Sequence, residues 1–267
     1  MDKEPKLIVG LGNPGEEYRN TRHNAGFMIL AVLADKHRLE DPKRSGPCLV
    51  TKARLEGQKL IMVWPQTYMN NCGPAVRRLV DFYKVPAGRI LVLHDELDLP
   101  LGRIRFSKGG SSGGHKGLES IMSEISAPFD RLRFGIGRPP KDGFITKIID
   151  YVLSPFSSLE DEKVDKTLAW SADLVRIWAV KNLAAAQMLG NRTERAPAKK
   201  PKPKTEDGEN KEAAPPAGGA APEAPAVSAP ASEAPAVSAP APEAPAVSAP
   251  APDAPAVSAP APEASRV

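Results

Sequence analysis

The fold is decided by a short apolar run near the middle of the chain, RILVLHDEL at residues 89–97. Two similar runs, KLIVGLG at residues 6–12 and KLIMVW at residues 59–64, also have the length of strands. The runs at 6–12 and 89–97 are almost continuously apolar, which is typical of strands that are covered on both faces. These segments therefore predict the buried centre of a sheet.

Further strands and helices are predicted around this centre. Apolar and polar residues alternate at 49–57, where a hairpin into the 59–64 strand is indicated, and again at 103–109 and 131–137. Apolar side chains at helical spacing predict four helices, at residues 25–37, 73–83, 117–125 and 159–189. The alternation predicts a single α/β domain with a central, twisted, mostly parallel mixed sheet and helices on both faces. Functional side chains then belong on the loops at the carboxyl ends of the strands.

Residues 194–267 differ in composition from the rest of the chain. The residues after 195 contain 17 of the 29 prolines and no aromatic side chain, and a ten-residue pattern close to APEAPAVSAP recurs from residue 221. Such a segment buries too little apolar surface to offset its conformational entropy. We therefore expect a folded domain over residues 1–193, followed by a disordered linker and Pro/Ala-rich tail over 194–267. Whether this tail only solvates the protein or docks an unknown partner stays open.

Charge and cysteine content limit the class of protein. Residues 196–267 hold 6 basic and 9 acidic side chains, so the other 30 basic and 23 acidic ones give residues 1–195 a net charge of +7. This excess suits an anionic partner such as nucleic acid. Cys48 and Cys72 form no C-x-x-C motif, which indicates a reducing compartment and no thiolate zinc site. No run approaches the roughly 18 apolar residues of a membrane helix, and the N-terminus lacks a secretory signal, so we expect a cytoplasmic protein without a membrane partner.

The first loop, GLGNPG at residues 10–15, matches the dinucleotide fingerprint G-x-G-x-x-G. That motif requires a helix that begins at its last glycine, because the helix amides bind the pyrophosphate. Gly15 is instead followed by EEYRNTRHN, in which Tyr18 is the one large side chain with an apolar body. Asp35, at the spacing of the motif's acidic residue, lies inside a helical pattern. The sequence therefore argues against a dinucleotide site.

A second loop, GSSGG at residues 110–114, matches the G-x-S-x-G motif of serine hydrolases. A nucleophilic serine in that motif requires a histidine base from later in the chain. The only histidine after Ser112 is His115, which is too near in sequence to serve. We interpret the segment as a flexible glycine-rich loop whose amides approach a ligand closely.

Polar side chains are concentrated on four loops that follow predicted strands. Asp95 and His23, from two of these loops, form the base–orienter pair that hydrolysis requires, with water as the nucleophile. His23 precedes the helix that begins near Ala25, and we expect the helix dipole to keep its imidazole neutral. A metal site made of His94, Asp95 and Asp98 is disfavoured because adjacent strand residues point to opposite faces. The other loop candidates are Asn13, Tyr18, Tyr68, Met69, Asn70, His115 and Lys116.

Together these motifs resemble the bacterial peptidyl-tRNA hydrolases. The resemblance extends over residues 6 to about 190 and is carried by GLGNPG-x-x-Y-x-x-T-R-H-N-x-G at 10–26, P-x-T-Y-M-N at 65–70, HDELDLP at 94–100, GGHKGL at 113–118 and RLRFGIGRP at 131–139. It implies an α/β enzyme, without metal or cofactor, that hydrolyses the ester joining a peptide to the terminal ribose of tRNA. Such an enzyme recycles tRNA from stalled or abandoned translation.

The resemblance also implies roles for individual residues. His23 matches the general base, and Asp95 matches the carboxylate that orients it. Asn13 matches the residue that distinguishes an N-blocked aminoacyl group from a free amine, and its amide is suited to donate to the developing oxyanion. Arg133 matches a basic residue that contacts tRNA phosphate. The expected substrate contacts are Tyr18, Tyr68, Met69, Asn70, His115 and Lys116.

Two positions depart from the family's pattern. Lys116 stands where the family usually has Asn, and an ammonium group donates hydrogen bonds but cannot accept them. Ser107 stands where the family has a second basic residue, and Lys108, one position along, points to the opposite face of a strand. We expect Lys108 to contribute to tRNA binding. We expect a monomeric enzyme; the alternative is an RNA-binding module in which Lys116 has weakened hydrolysis.

Overall fold

The computed structural model describes residues 4–139 and 147–191 of the chain. Seven strands form one sheet in the order β2-β3-β4-β1-β5-β7-β6. The pairs β4–β1, β1–β5 and β5–β7 are parallel, whereas β2–β3, β3–β4 and β6–β7 are antiparallel, so five of the seven strands run in one direction. The strands are β1 (Lys6–Gly10), β2 (Lys43–Ser45), β3 (Cys48–Leu55), β4 (Gln58–Pro65), β5 (Ile90–Glu96), β6 (Ile104–Lys108) and β7 (Asp130–Gly135).

The predicted mixed, mostly parallel sheet is confirmed, with one strand that the sequence pattern did not indicate. β1 and β5 lie at its centre, and every residue of β1 is buried, as the apolar run at 6–12 predicts. The additional strand is β2, whose sequence KRS contains no apolar residue. It forms by pairing with β3 at the edge of the sheet, where solvent exposure permits a charged strand.

Within residues 4–139 and 147–191, six α-helices cover the two faces of the sheet. One apolar cluster packs α1, α4, α5 and α6 onto one face, and a second packs α2 and α3 onto the other, which confirms the predicted α/β domain. The helices are α1 (Ala25–Lys36), α2 (Cys72–Tyr83), α3 (Lys116–Glu124), α4 (Ile148–Val152), α5 (Asp161–Val180) and α6 (Leu183–Gly190). Among the residues between 4 and 191 that the structure describes, no helix is long and apolar enough to cross a membrane.

The prediction of a single long helix over residues 159–189 is wrong, because this segment forms two helices, α5 and α6. Asn182 has an extended backbone and its side-chain oxygen accepts a 2.9 Å hydrogen bond from the amide of Ala185, which makes it the N-cap of α6. The end of α5 is stabilised by Lys6, whose ammonium group donates to the carbonyl of Trp178 at 2.7 Å. Apolar periodicity alone does not reveal such a break, since it continues on both sides.

The outer edge of β6 is bonded to the end of α6. The side chain of Asn191 accepts a 2.7 Å hydrogen bond from the amide of Phe106 and donates a 3.1 Å hydrogen bond to its carbonyl. One side chain therefore satisfies both edge-facing backbone groups of Phe106. The predicted linker and repeats at 194–267 lie outside the described residues.

Candidate active site

The side chain of Asn24 holds the backbone of the first loop, GLGNPG at residues 10–15, at Asn13. After Gly15 the chain makes two 3₁₀ turns, Glu16–Tyr18 and Arg22–Asn24, and no α-helix begins until Ala25. The helix that a dinucleotide site requires at Gly15 is therefore replaced by these turns. Asn24 accepts a 2.8 Å hydrogen bond from the amide of Asn13 and donates a 3.0 Å bond to its carbonyl. The two bonds join both ends of the loop.

Two glycines allow α1 to lie directly on the central strands. A Cβ at Gly10 would lie 2.6 Å from the carbonyl oxygen of Gly26, and a Cβ at Gly26 would lie 2.4 Å from the carbonyl oxygen of Leu93. Real Cβ atoms do not approach backbone this closely. The contact brings His23, in the turn before α1, to the carboxyl end of β5, where Asp95 lies.

Asp95 binds two histidines through one carboxylate oxygen. Its Oδ1 lies 2.9 Å from Nδ1 of His23 and 2.9 Å from Nε2 of His115, and the two imidazole rings are 4.8 Å apart. The Asp95 residue is 4% exposed. The pair predicted between His23 and Asp95 is thus present in the structure. His115, which we predicted as a substrate contact, also contacts the carboxylate.

The hydrogen bonds of His115 determine which nitrogen carries its proton. Nδ1 accepts from the backbone amides of Gly117 at 3.2 Å and Leu118 at 3.4 Å, so the ring is the N-cap of α3. Nδ1 is then without a proton, and Nε2–H donates to Asp95. His23 uses Nδ1–H for Asp95 in the same way, which leaves its Nε2 with a lone pair that can accept a proton.

The charge of Asp95 sets the titration of this cluster. Burial lowers the pKa of His23, but the adjacent Asp95 carboxylate raises it through its charge and its hydrogen bond. Together the two effects of the carboxylate exceed that of burial, so the net pKa is above the ordinary 6.5. The sequence predicted that the helix N-terminus disfavours the charged form of His23, but the Asp95 carboxylate shifts the pKa in the opposite direction. Burial raises the pKa of Asp95, yet the two histidines that bind it hold that pKa well below 3.8. Asp95 is an anion throughout the physiological range.

The metal ligands considered from the sequence do not converge. His94 is buried, donates from Nδ1 to the carbonyl of Asp95 at 2.7 Å, and has its pKa lowered to about 3, chiefly by burial. Asp98 lies at the surface and binds Arg138 at 2.6 Å. Among the described residues, one set of three such side chains could hold a metal ion, and it consists of His23, Asp95 and His115. Their facing atoms are already joined by the two hydrogen bonds to Oδ1.

Asn13 is held in a fixed orientation by the loop that contains Met69, at residues 65–70. Its Oδ1 accepts a 2.8 Å hydrogen bond from the amide of Met69, so its Nδ2 is the side-chain atom that remains to donate a hydrogen bond. Met69 begins a 3₁₀ turn ahead of α2 and is buried, whereas Tyr68 and Asn70 beside it are exposed. Tyr18, in the first loop, is half-buried.

The cavity at His23 contains some of the predicted residues and not others. It has a volume of about 280 Å³ and an apolar wall from α4, formed by Ile148, Ile149 and Val152. His23, Asp95, His115 and Lys116 line it. A neighbouring cavity of about 650 Å³ is lined by Asn13, Asn24 and apolar side chains of α1. Of the predicted substrate contacts, Tyr18, Tyr68, Met69 and Asn70 line neither cavity.

The glycine-rich loop at residues 110–114 is held by hydrogen bonds from a buried arginine, Arg131. Arg131 donates to the carbonyl oxygens of Ser111 at 2.6 Å and Gly110 at 2.7 Å. The hydroxyl of Ser112 donates to Glu119 at 3.3 Å and is not bonded to a histidine, so the serine-hydrolase interpretation fails on geometry as well. Gly113 has φ +60° with open space around its Cα, so its backbone conformation is what favours glycine there.

The predicted RNA-contacting cations differ in how they are paired. Lys116, at the first position of α3, forms a 3.0 Å ion pair with Glu119, and its side chain is 67% exposed. Arg133 is bound by Glu96 at 2.8 Å. Lys108 is exposed and lines a cavity of about 350 Å³ together with Arg131 and Arg133, and the carboxylates of Glu96 and Asp98 line the same cavity.

Three features of the site were missed from the sequence. They are the loop-closing side chain of Asn24, the loop anchor Arg131 and the apolar wall of α4. Asn24 follows His23 directly in the quoted T-R-H-N motif, and that position was the available signal. Nothing local in the sequence distinguishes Arg131 from Arg133, because the two lie on the same face of β7 and only the folded structure buries Arg131 under the loop.

Comparison with known proteins gives one family. The peptidyl-tRNA hydrolase family profile matches residues 7–200. The peptidyl-tRNA hydrolase of Carboxydothermus hydrogenoformans is 47% identical over 172 residues, covering 64% of this chain and 90% of that protein. The peptidyl-tRNA hydrolase of Aquifex aeolicus is 51% identical over 160 residues, covering 60% and 81%.

Solved structures agree with the sequence comparison. A crystal structure of a peptidyl-tRNA hydrolase complexed with n-propanol superposes with a TM-score of 0.66 at 36% identity, covering 72% of this chain and 97% of that one. The peptidyl-tRNA hydrolase of Acinetobacter baumannii superposes with a TM-score of 0.64 at 36% identity, covering 70% and 95%.

Proposed function

Because the chain belongs to the peptidyl-tRNA hydrolase family and hydrolyses peptidyl-tRNA, we propose that His23 is the general base of this reaction. The observation that carries the proposal is the 2.9 Å hydrogen bond from Nδ1 of His23 to Asp95, which leaves Nε2 as the proton acceptor. Nε2 takes a proton from water while the water oxygen attacks the ester carbonyl carbon. When the tetrahedral intermediate breaks down, the same proton passes to the ribose oxygen that leaves.

Asp95 and His115 support this proton transfer by holding His23 in position. The carboxylate fixes the tautomer of His23 and stabilises the imidazolium that forms when the proton arrives. His115 donates to the same oxygen and holds the carboxylate in place, because its other nitrogen is bound to the start of α3. His115 is therefore a positioning residue in this mechanism.

Asn13 serves the reacting carbonyl. Since its Oδ1 is occupied by the amide of Met69, its Nδ2 is the group that donates to the oxyanion or to the carbonyl of an N-blocked aminoacyl group. A free ammonium group on the substrate offers no acceptor there, which accounts for discrimination between blocked and unblocked substrates.

The remaining residues bind the two ends of the substrate. The apolar wall of α4 suits the peptide, and the exposed Tyr68 and Asn70, with Met69 and Tyr18, lie on the loops that would contact the tRNA 3′ end. Arg133 and Lys108 bind phosphate. Residues 1–193 carry catalysis, so removal of residues 194–267 leaves kcat unchanged. The enzyme is monomeric and cytoplasmic. It acts without metal, so dialysis against EDTA also leaves kcat unchanged.

The test of the base is hydrolysis of N-acetyl-aminoacyl-tRNA and of the same tRNA with an unblocked amino acid. The wild-type protein cleaves the blocked form and spares the other. His23→Ala lowers kcat about 10²- to 10⁴-fold and leaves the Kd for tRNA unchanged. His37→Ala, a histidine beyond the C-terminal end of α1, is the matched control with wild-type turnover. Retained turnover with lost tRNA binding in His23→Ala would refute the assigned role.

A further inference from the structure

A groove on the edge of the sheet has the chemistry of an RNA-binding surface and lies apart from the site described above. It runs between β6 and α5, has a volume of about 530 Å³, and is called here the β6–α5 groove. Its charged and aromatic lining consists of Arg103, Arg105, Lys163 and Trp170. The described part of its lining contains no carboxylate.

The three cations of the groove have no acidic partner among the described residues. Several other exposed basic side chains are paired, as in Arg77 with Asp81 at 2.8 Å and Arg138 with Asp98 at 2.6 Å. Within residues 4–139 and 147–191, no carboxylate forms an ion pair with Arg103, Arg105 or Lys163. A concave surface lined by one sign of charge concentrates ligands of the opposite sign.

The register of the sheet places two arginines directly opposite each other at this edge. Arg105 of β6 pairs with Arg133 of β7. Like charges opposite each other on neighbouring strands are destabilising, and Glu96 compensates only Arg133. An anion bound across β6 would relieve this repulsion. The pair also connects the groove with the cavity at Arg133 and Lys108.

The groove also contains an exposed aromatic ring. Trp64 and Trp178 are buried, whereas Trp170 on α5 is 44% exposed and lines the groove beside the cations. An indole face next to arginine and lysine is the combination that binds a phosphodiester backbone and stacks its bases. An acidic protein partner would use the charges but would not require the ring.

The groove borders the catalytic cavity. The turn at residues 99–103 lines the groove, and Leu97 and Asp98, immediately before it, line the cavity at His23. The turn is tied to the sheet by hydrogen bonds from the amide of Gly135 to Arg103 and from the amide of Gly137 to Leu99, both 2.8 Å. An RNA whose acylated end occupies the cavity therefore has the groove within reach of its next nucleotides or its stem.

We propose that the β6–α5 groove is a second RNA-contacting site, which binds the phosphodiester backbone of the substrate through Arg103, Arg105 and Lys163 and stacks a base or ribose on Trp170. The inference rests on the proposed function, since it names a further part of the surface that holds the same substrate. The groove increases the affinity for the RNA body and takes no part in the chemistry at His23.

The test compares a full-length substrate with one that has no RNA body. In the full chain, Arg103→Gln/Arg105→Gln/Lys163→Gln raises the KM for N-acetyl-aminoacyl-tRNA about tenfold at moderate salt and lowers the slope of log KM against log salt concentration by about 2. Trp170→Ala raises the same KM about fivefold, and Trp170→Phe restores most of it. The kcat values do not change, and N-acetyl-aminoacyl adenosine is hydrolysed as by wild type.

The matched control places the same loss of charge at the opposite edge of the sheet. Arg44→Gln/Lys52→Gln/Lys84→Gln removes three exposed cations from β2, β3 and the end of α2 and leaves the KM and salt slope at wild-type values. Unchanged KM in both groove variants, or an equal rise for the adenosine ester, overturns the proposal. Failure of His23→Ala to lower turnover would instead refute the proposed base and leave these KM comparisons valid. Thermal unfolding of each variant separates lost binding from lost fold.

Discussion

The two glycine-rich loops of this enzyme each bring a histidine to Asp95, but they use glycine for different reasons. In the first loop, a Cβ at Gly10 would collide with the backbone of α1, so glycine supplies space. In the second loop, Gly113 has nothing within 4 Å of a Cβ position but has φ +60°, so glycine supplies a backbone conformation. The same residue type therefore marks close packing in one loop and a left-handed turn in the other.

The two histidines differ in a parallel way. Both donate to the same oxygen of Asp95 at 2.9 Å. His115 also accepts two amides of α3 at its second nitrogen, whereas the second nitrogen of His23 is left for a proton. The number of ring nitrogens already bonded to the protein thus distinguishes the proposed base, His23, from His115, the proposed positioning residue.

The largest difference between the loops is expected in stability. Gly10→Ala should lower the free energy of unfolding by about 3 kcal/mol, because the new methyl group overlaps a backbone carbonyl that cannot move without shifting α1. Gly113→Ala should cost about 1 kcal/mol, the strain of a left-handed alanine. Urea denaturation measures both values. Equal costs would show that the two loops do not differ as described.

Removing the shared carboxylate should affect the first histidine most. In Asp95→Asn, burial acts on His23 without the opposing charge, so the pKa of His23 falls. The base must be neutral, so wild-type activity is lost as pH falls through the raised pKa, and the variant should retain its smaller activity to lower pH. We expect kcat to fall about 100-fold, as for loss of an orienting group in general base catalysis. A pH–kcat profile tests both effects, and an acid limb that stays in place would contradict the assigned cause.

The positioning role of His115 can be separated from its capping role. His115→Ala removes a donor to Asp95 and the cap of α3, and should lower kcat about tenfold and stability by about 1 kcal/mol. Asp95 then interacts more strongly with His23, which moves the acid limb to higher pH. His115→Asn keeps a good cap, so it should recover stability while kcat and the pH shift stay as in the alanine variant. Recovery of both would show that His115 acts only through the helix.

The smallest effect is expected at Lys116. Its ammonium group is exposed and bound to Glu119, and exposed pairs of this kind contribute little. Lys116→Asn should therefore change kcat/KM for N-acetyl-aminoacyl-tRNA by less than about threefold. A large gain in rate would mean that lysine here weakens hydrolysis, as in the alternative of an RNA-binding module.

The sheet could be predicted from the sequence because burial on both faces leaves an apolar run, as at residues 6–12. β2 could not, because its charged residues pair only when β3 is in place. The proximity of His23 and Asp95 follows from loops at the carboxyl ends of strands together with the family resemblance. The second bond of Asp95, to His115, depends on a ring orientation that no spacing encodes. The direction of the His23 pKa depends on a balance between burial and charge that requires distances.

The bond between Asn191 and Phe106 has a consequence for association between molecules. β6 is an edge strand, and a strand from another copy that extended the sheet would pair with its outward-facing backbone groups, which include the amide and carbonyl of Phe106. Asn191 occupies both groups with its own amide. The side chain of Asn191 therefore blocks intermolecular strand pairing in the middle of this edge.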